Sequence, residues 1–167
     1  MEKELVNLLN RAFDLIENGQ YHEALALYEK ILKKDPNNVP ALIDIGTTLQ
    51  NQGHYKKSII FYDRALKINP NNLDALINKG SALHSLGKFD DAIILYDKAL
   101  DIDKKCAIAL AYKGLSLGET NRLQDALELF KESLEIDKDY DLANLSKKTA
   151  KDILKSKLKE LKRTKIQ

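Results

Sequence analysis

Three histidines and one cysteine are the residues of this chain best suited to hold a metal or act as a nucleophile near neutral pH. Their placement argues against both roles. His22, His54 and His84 fall at different phases of the chain's internal period and form no recurrent ligand pair, and Cys106 stands elsewhere, so a zinc site is not expected. With a single cysteine no intramolecular disulfide can form, which suits a reducing cytosol, and Cys106 reads as a small, partly buried helix residue. The acid pair Asp90 and Asp91 stands at an expected helix start, where carboxylates favour the N-terminal dipole. No glycine-rich phosphate loop and no Gly-x-Ser-x-Gly elbow occurs. The expectation is no catalytic residue, no cofactor and no metal, and hence no enzyme.

Composition points the same way. The 167 residues are 44% apolar and 31% charged, with 7 glycines and 3 prolines, as in a soluble, helix-rich protein of single-domain length. The net charge of +2 hides an asymmetry: from Lys147 onward nine lysines and arginines face two acids. The N-terminal "MEKELVNLLNRAF" lacks the unbroken apolar stretch of a signal peptide. The longest apolar runs, such as "AIALAY" at 107–112, fall far short of the roughly 18 residues a membrane span needs. A cytoplasmic location is expected, with no membrane span.

The elements that carry these residues repeat. "DPNN" at 35–38 returns as "NPNN" at 69–72, thirty-four residues on. At the same interval Leu8, Leu42, Leu76 and Leu110 align, as do Ala12, Gly46, Gly80 and Gly114. Tyr28, Tyr62, Tyr96 and Phe130 make a further column, and Ala24, Ser58, Ala92 and Ala126 another. Within a unit, Leu42, Ile45, Gly46 and Leu49 recur at helical spacing, and Tyr55, Ile59, Tyr62 and Leu66 do so again, so each unit is a helical hairpin. Gly19, Gly53, Gly87 and Asn121 fall where a left-handed residue would end the first helix. Pro36 and Pro70 stop the second, and the asparagines after them cap the next. Lys104 and Lys138 take the proline slot later, so those two seams rest on the polar runs "DIDKKC" and "EIDKDY".

Length, hairpin phase and columns together resemble the tetratricopeptide repeat, a 34-residue helix-turn-helix. "ALINKGSALHSLGKFDDAIILYDKALDID" matches nearly every slot, departing at Leu76, where the family often has Trp, and at Lys104. The resemblance implies an all-α solenoid, a right-handed superhelix of four antiparallel hairpins at about 5–38, 39–72, 73–106 and 107–140, followed by a basic capping helix over 141–167. That helix carries an apolar stripe through Leu142, Leu145, Thr149, Ile153, Leu154, Leu158 and Leu161, with Leu142 to Leu154 covering the last hairpin and the remainder running past it.

The same resemblance implies a function. In this family the first helix of each hairpin lines a concave groove, and the slot that points into it reads Asn10, Asp44, Asn78 and Tyr112. Around these rungs stand Leu9, Phe13, Ile43, Thr47, Ile77, Ser81, Ala111 and Leu115. A non-enzymatic scaffold that holds a peptide or helix of a partner protein is therefore expected. Family members that clamp chaperone C-terminal tails use Lys and Asn on the first helix of one unit, Asn on the next, and Lys and Arg on the third. The corresponding slots here hold Leu9, Phe13, Asp44, Asp74 and Asn78, or Ile43, Thr47, Asn78, Ile108 and Tyr112, with no basic residue, which disfavours such tails. The alternatives are a homo-oligomer formed through the C-terminal helix or the repeat faces, and binding of nucleic acid or an acidic surface through the lysine-rich tail. The tail has no aromatic residue to stack on bases, which disfavours nucleic acid.

Overall fold

The 34-residue period is built from helices and two kinds of turn. The computed structural model describes residues 2–164, with side chains from 3 to 155. Among the described residues the chain is all α: α1 (Glu2–Glu17), α2 (Tyr21–Lys34), α3 (Val39–Asn51), α4 (Tyr55–Ile68), α5 (Leu73–Ser85), α6 (Phe89–Ile102), α7 (Ala107–Glu119), α8 (Leu123–Ile136) and α9 (Asp141–Thr164). These helices fall into two compact units, Met1–Leu86 and Gly87–Gln167. In the first, α1 packs on α2, α2 on α3, α3 on α4, and α4 on α5. In the second, α6 packs on α7, α7 on α8, and α9 lies against both α7 and α8. No described helix is long and apolar enough to cross a membrane.

The first turn works as its residue types require. Gly19, Gly53 and Gly87 have φ of 72°, 77° and 74°, and Asn121 has 65°, the left-handed region that most side chains avoid. The backbone N–H of Gly53 donates to the Gln50 carbonyl at 2.9 Å and that of His54 to Leu49 at 2.8 Å, closing the end of α3. Asn121 and Arg122 repeat the pair at the end of α7, donating to Gly118 and Leu117. Asparagine, the side chain most tolerant of this conformation, thus replaces glycine without loss of the turn.

The second turn adds to the two seams expected from proline a feature shared by all four. Asp35, Asn69, Asp103 and Asp137 each follow a second helix, and each accepts a bond on Oδ1 from the backbone N–H two residues on: Asn37, Asn71, Lys105 and Asp139, at 2.9–3.2 Å. This local bond turns the backbone in all four places, so the seams at Lys104 and Lys138 hold without proline. The caps fall as expected where asparagine remains. Asn38 Oδ1 accepts from Ala41 N–H at 3.1 Å and Asn72 Oδ1 from Ala75 N–H at 2.8 Å. At α7 the slot holds Cys106, whose side chain makes no such bond.

Small residues let the helices meet. A Cβ on Gly46 would lie 2.5 Å from Tyr62 Cε1, and one on Gly114 would lie 2.6 Å from Phe130 Cε1, so each ring seats on a helix backbone across its own hairpin. In unit 1 the apolar core gathers Leu8, Ala12, Ala24, Tyr28, Ile31 and Ile45. In unit 2 it gathers Leu117, Leu123, Ala126, Phe130, Ala143 and Ala150. The last helix departs from expectation. Its covering face is Ala143 and Ala150, with Leu154 half-buried, while Leu145 and Ile153 stay 66% and 41% exposed and Thr149 is exposed. Small residues let α9 approach closely, and of its larger side chains Leu142 and Leu154 stay half-buried while Leu145 and Ile153 turn outward. Leu158 and Leu161 lie outside the described side chains.

Candidate functional site

The expected groove residues sit on the first helix of each hairpin, and their surroundings differ between the units. In unit 1, Asn10 and Phe13 are exposed on α1 and Leu9 is half-buried. On α3, Ile43, Asp44 and Thr47 are half-buried, as are Asn78 and Ser81 on α5. Ile77 is an exception: only 7% of it is exposed, so it belongs to the core and offers no surface to a ligand. Ala111 in unit 2 is the second such correction, at 0% exposed. Both lie on the face where a first helix meets its neighbours, and a slot alone does not distinguish that face from the open one.

A chain of side-chain bonds ties three helices of unit 1 together. Tyr62 Oη on α4 donates to Gln50 Oε1 at 3.0 Å and lies 3.3 Å from Thr47 Oγ1. Gln50 Nε2 donates to Ser81 Oγ at 3.1 Å, and Asn78 Nδ2 donates to Thr47 Oγ1 at 3.4 Å. Thr47, Asn78 and Ser81 therefore already bind one another's helices. Asn78 keeps its Oδ1 and a second N–H for other partners. Gln50 and Tyr62, which the sequence reading left out, are the centre of this network. Their signal was a polar residue one turn beyond Thr47 on α3 and a hydroxyl in the aromatic column.

Asp44 carries the main electrostatic feature of this surface. Its half-buried carboxyl is held above the usual carboxylate range by burial, against the opposing bond to the Tyr28 hydroxyl. Tyr28 is pushed far up, first by burial and then by the nearby Asp44 charge. Burial likewise raises Tyr62 to about 12, with its Thr47 contact acting in the opposite sense.

Unit 2 replaces this network with aromatic rings. Tyr112 on α7 stacks on Tyr96 of α6, ring centroids 6.0 Å apart and planes 14° from parallel. The Tyr96 hydroxyl is buried without a hydrogen-bond partner among the described residues. Burial raises its pKa far above the ordinary phenol range, and Tyr112 and Tyr140 add to the effect. Leu115 is half-buried on the same helix as Tyr112. Cys106 is a half-buried free thiol. His22 and His54 are exposed and His84 is half-buried, and no group of three potential metal ligands forms among the described residues.

Comparison with known proteins agrees with this architecture. Residues 17–99 match the model of the anaphase-promoting complex, cyclosome, subunit 3, and residues 73–139 match a tetratricopeptide-repeat model. No curated protein matches the chain. Among solved structures, the MamA protein is 22% identical with a TM-score of 0.79, over 99% of this chain and 90% of that one. PilF of Pseudomonas aeruginosa is 17% identical with a TM-score of 0.84, over 93% and 71%. The first tetratricopeptide region of Spaghetti (RPAP3), solved with the HSP90 peptide SRMEEVD, is 22% identical with a TM-score of 0.67, over 72% and 95%. With its hairpins, left-handed turns and small-residue columns matched by two overlapping family models, the chain is a tetratricopeptide-repeat protein.

Proposed function

We propose that the protein is a non-enzymatic scaffold whose first-helix surfaces hold an extended or helical segment of a partner protein. The observation that carries this reading is the mixed character of those surfaces. Apolar Leu9, Ile43 and Leu115 stand half-buried beside Asn10, Asp44, Asn78 and Tyr112. An apolar neighbour lowers the local dielectric and strengthens each hydrogen bond to a bound backbone, while the apolar groups receive alternate side chains of the ligand. Asn78 supports the reading further, since the amide that braces Thr47 retains groups that can pair with a peptide N–H and C=O. Phe13, 61% exposed, adds an anchor on α1.

The slots at which the family resemblance expects a basic clamp for a chaperone tail hold no Lys or Arg here, which supports a ligand other than such a tail. A segment with apolar anchors and no required terminal carboxylate is the ligand class that fits. The test is selection from a displayed random-peptide library on the purified protein, followed by calorimetry of the selected peptides. Asn78→Ala and Tyr112→Ala, made separately, are each expected to weaken peptides selected on their own surface at least about tenfold, with the helical circular dichroism unchanged. Affinity unchanged from the wild type in both variants would overturn the proposal.

A further inference from the structure

Unit 2 leaves an apolar groove of about 230 Å³ open between α7 and α9. Its floor is glycine: a Cβ added to Gly118 would meet nothing within 4 Å. Leu115 forms one wall, and Leu145 and Ile153 the other, the last two 66% and 41% exposed. Glu119 lies at the α7 side of the groove, whereas on α9 Lys148 and Lys155 are exposed and the helix carries eight lysines and arginines against three acids. Whatever fills this groove needs apolar side chains on a helical or extended backbone, and acidic groups beside them.

The chain itself contains such an element. On α1, Val6 and Phe13 are 48% and 61% exposed. They lie seven residues apart, two helical turns, and so on one face, with Asn10 between them and Glu17 one turn beyond. The helix carries four acids against two bases, opposite in sign to α9. Of the four acids Glu4 is already paired with Lys34 of α2, and the net charge and exposed apolar stripe of α1 remain complementary to the groove.

We propose that α1 of one copy docks in the α7–α9 groove of a second copy, with Phe13 seated over Gly118 and between Leu145 and Ile153. The contact joins two different surfaces, so one copy can give and receive at once, and pairs can extend into longer chains. Opposite charges make the association weaken as salt rises. Phe13 and Leu115 also belong to the first-helix surfaces proposed above, so self-docking and capture of a foreign segment use overlapping surfaces, although self-docking does not require that capture.

Sedimentation equilibrium on the purified full chain tests it. Wild-type mass is expected to climb above that of one copy with concentration. Phe13→Asp and Leu145→Asp change exposed side chains, and each alone is expected to weaken self-association at least about tenfold, with the helical circular dichroism unchanged. Mixed in equal amounts, the two variants are expected to recover a pair, because one retains the groove and the other retains α1. A wild type that stays a single copy leaves the groove to a foreign segment and overturns the proposal. So does a mixture that remains monomeric, or a variant that associates as the wild type does. Peptide selection on the first-helix surfaces is a separate measurement, so the failure of either reading is visible without the other.

Discussion

Tyr62 and Tyr96 occupy the same slot one period apart, and their hydroxyls have opposite fortunes. Tyr62 donates to Gln50 and meets Thr47, whereas Tyr96 is buried without a partner among the described residues. A buried unsatisfied hydroxyl costs more than a satisfied one contributes. Tyr96→Phe is therefore expected to raise the free energy of unfolding by about 1 kcal/mol, and Tyr62→Phe to lower it by about the same, both read from urea titrations. The slot's fourth occupant, Phe130, shows that the ring alone suffices for packing on Gly114. What the hydroxyl adds is set by the residues opposite it, which is why the aromatic column was legible in the sequence and its hydrogen bonding was not. Ile77 and Ala111 were assigned to the groove for the same reason, since their slot is apolar in several units and its exposure depends on how closely the neighbouring helix approaches.

At the scale of the element, the turns explain which boundaries were legible. The left-handed residues Gly19, Gly53, Gly87 and Asn121 identify themselves, because few other types tolerate that backbone. Proline, a strong punctuator, marks two of the four seams and polar runs mark the other two, but the shared device, the side-chain bond of Asp35, Asn69, Asp103 and Asp137, was not legible as such. Asp103→Ala and Asp137→Ala leave no proline in reserve. Each is expected to cost about 1 kcal/mol, and Asp35→Ala less, since Pro36 still restricts its seam. Differential scanning calorimetry of the three variants checks the order. The α9 helix was legible as a helix but not in its rotation: the larger residues suggested the covering face, and close approach favoured Ala143 and Ala150 instead.

For the molecule as a whole, its buried tyrosines set an alkaline limit. Burial pushes Tyr62 and the half-buried Tyr140 up to about 12 from an ordinary value of 10.0, and raises Tyr28 and Tyr96 further. The neutral phenol is the form the fold retains. Stability from these groups is full below pH 10 and is lost as the pH rises from there through the folded values, because the unfolded chain gives up its protons first. Phenolate absorbance and helical circular dichroism are expected to change together between pH 10 and 12. A gradual phenolate titration with the helices intact would contradict this account. The basic C-terminal end was legible from composition, but the exposed Phe13 on α1 and the open floor at Gly118 required coordinates.

The turns at the seams are closed by bonds that span two or three residues. Every boundary can therefore form before any distant part of the chain is in place, and helices adjacent in sequence find one another across short loops. Such a chain pays little loop-closure entropy at each step, so its folding is expected to belong to the fast, local-contact regime and to start from more than one hairpin.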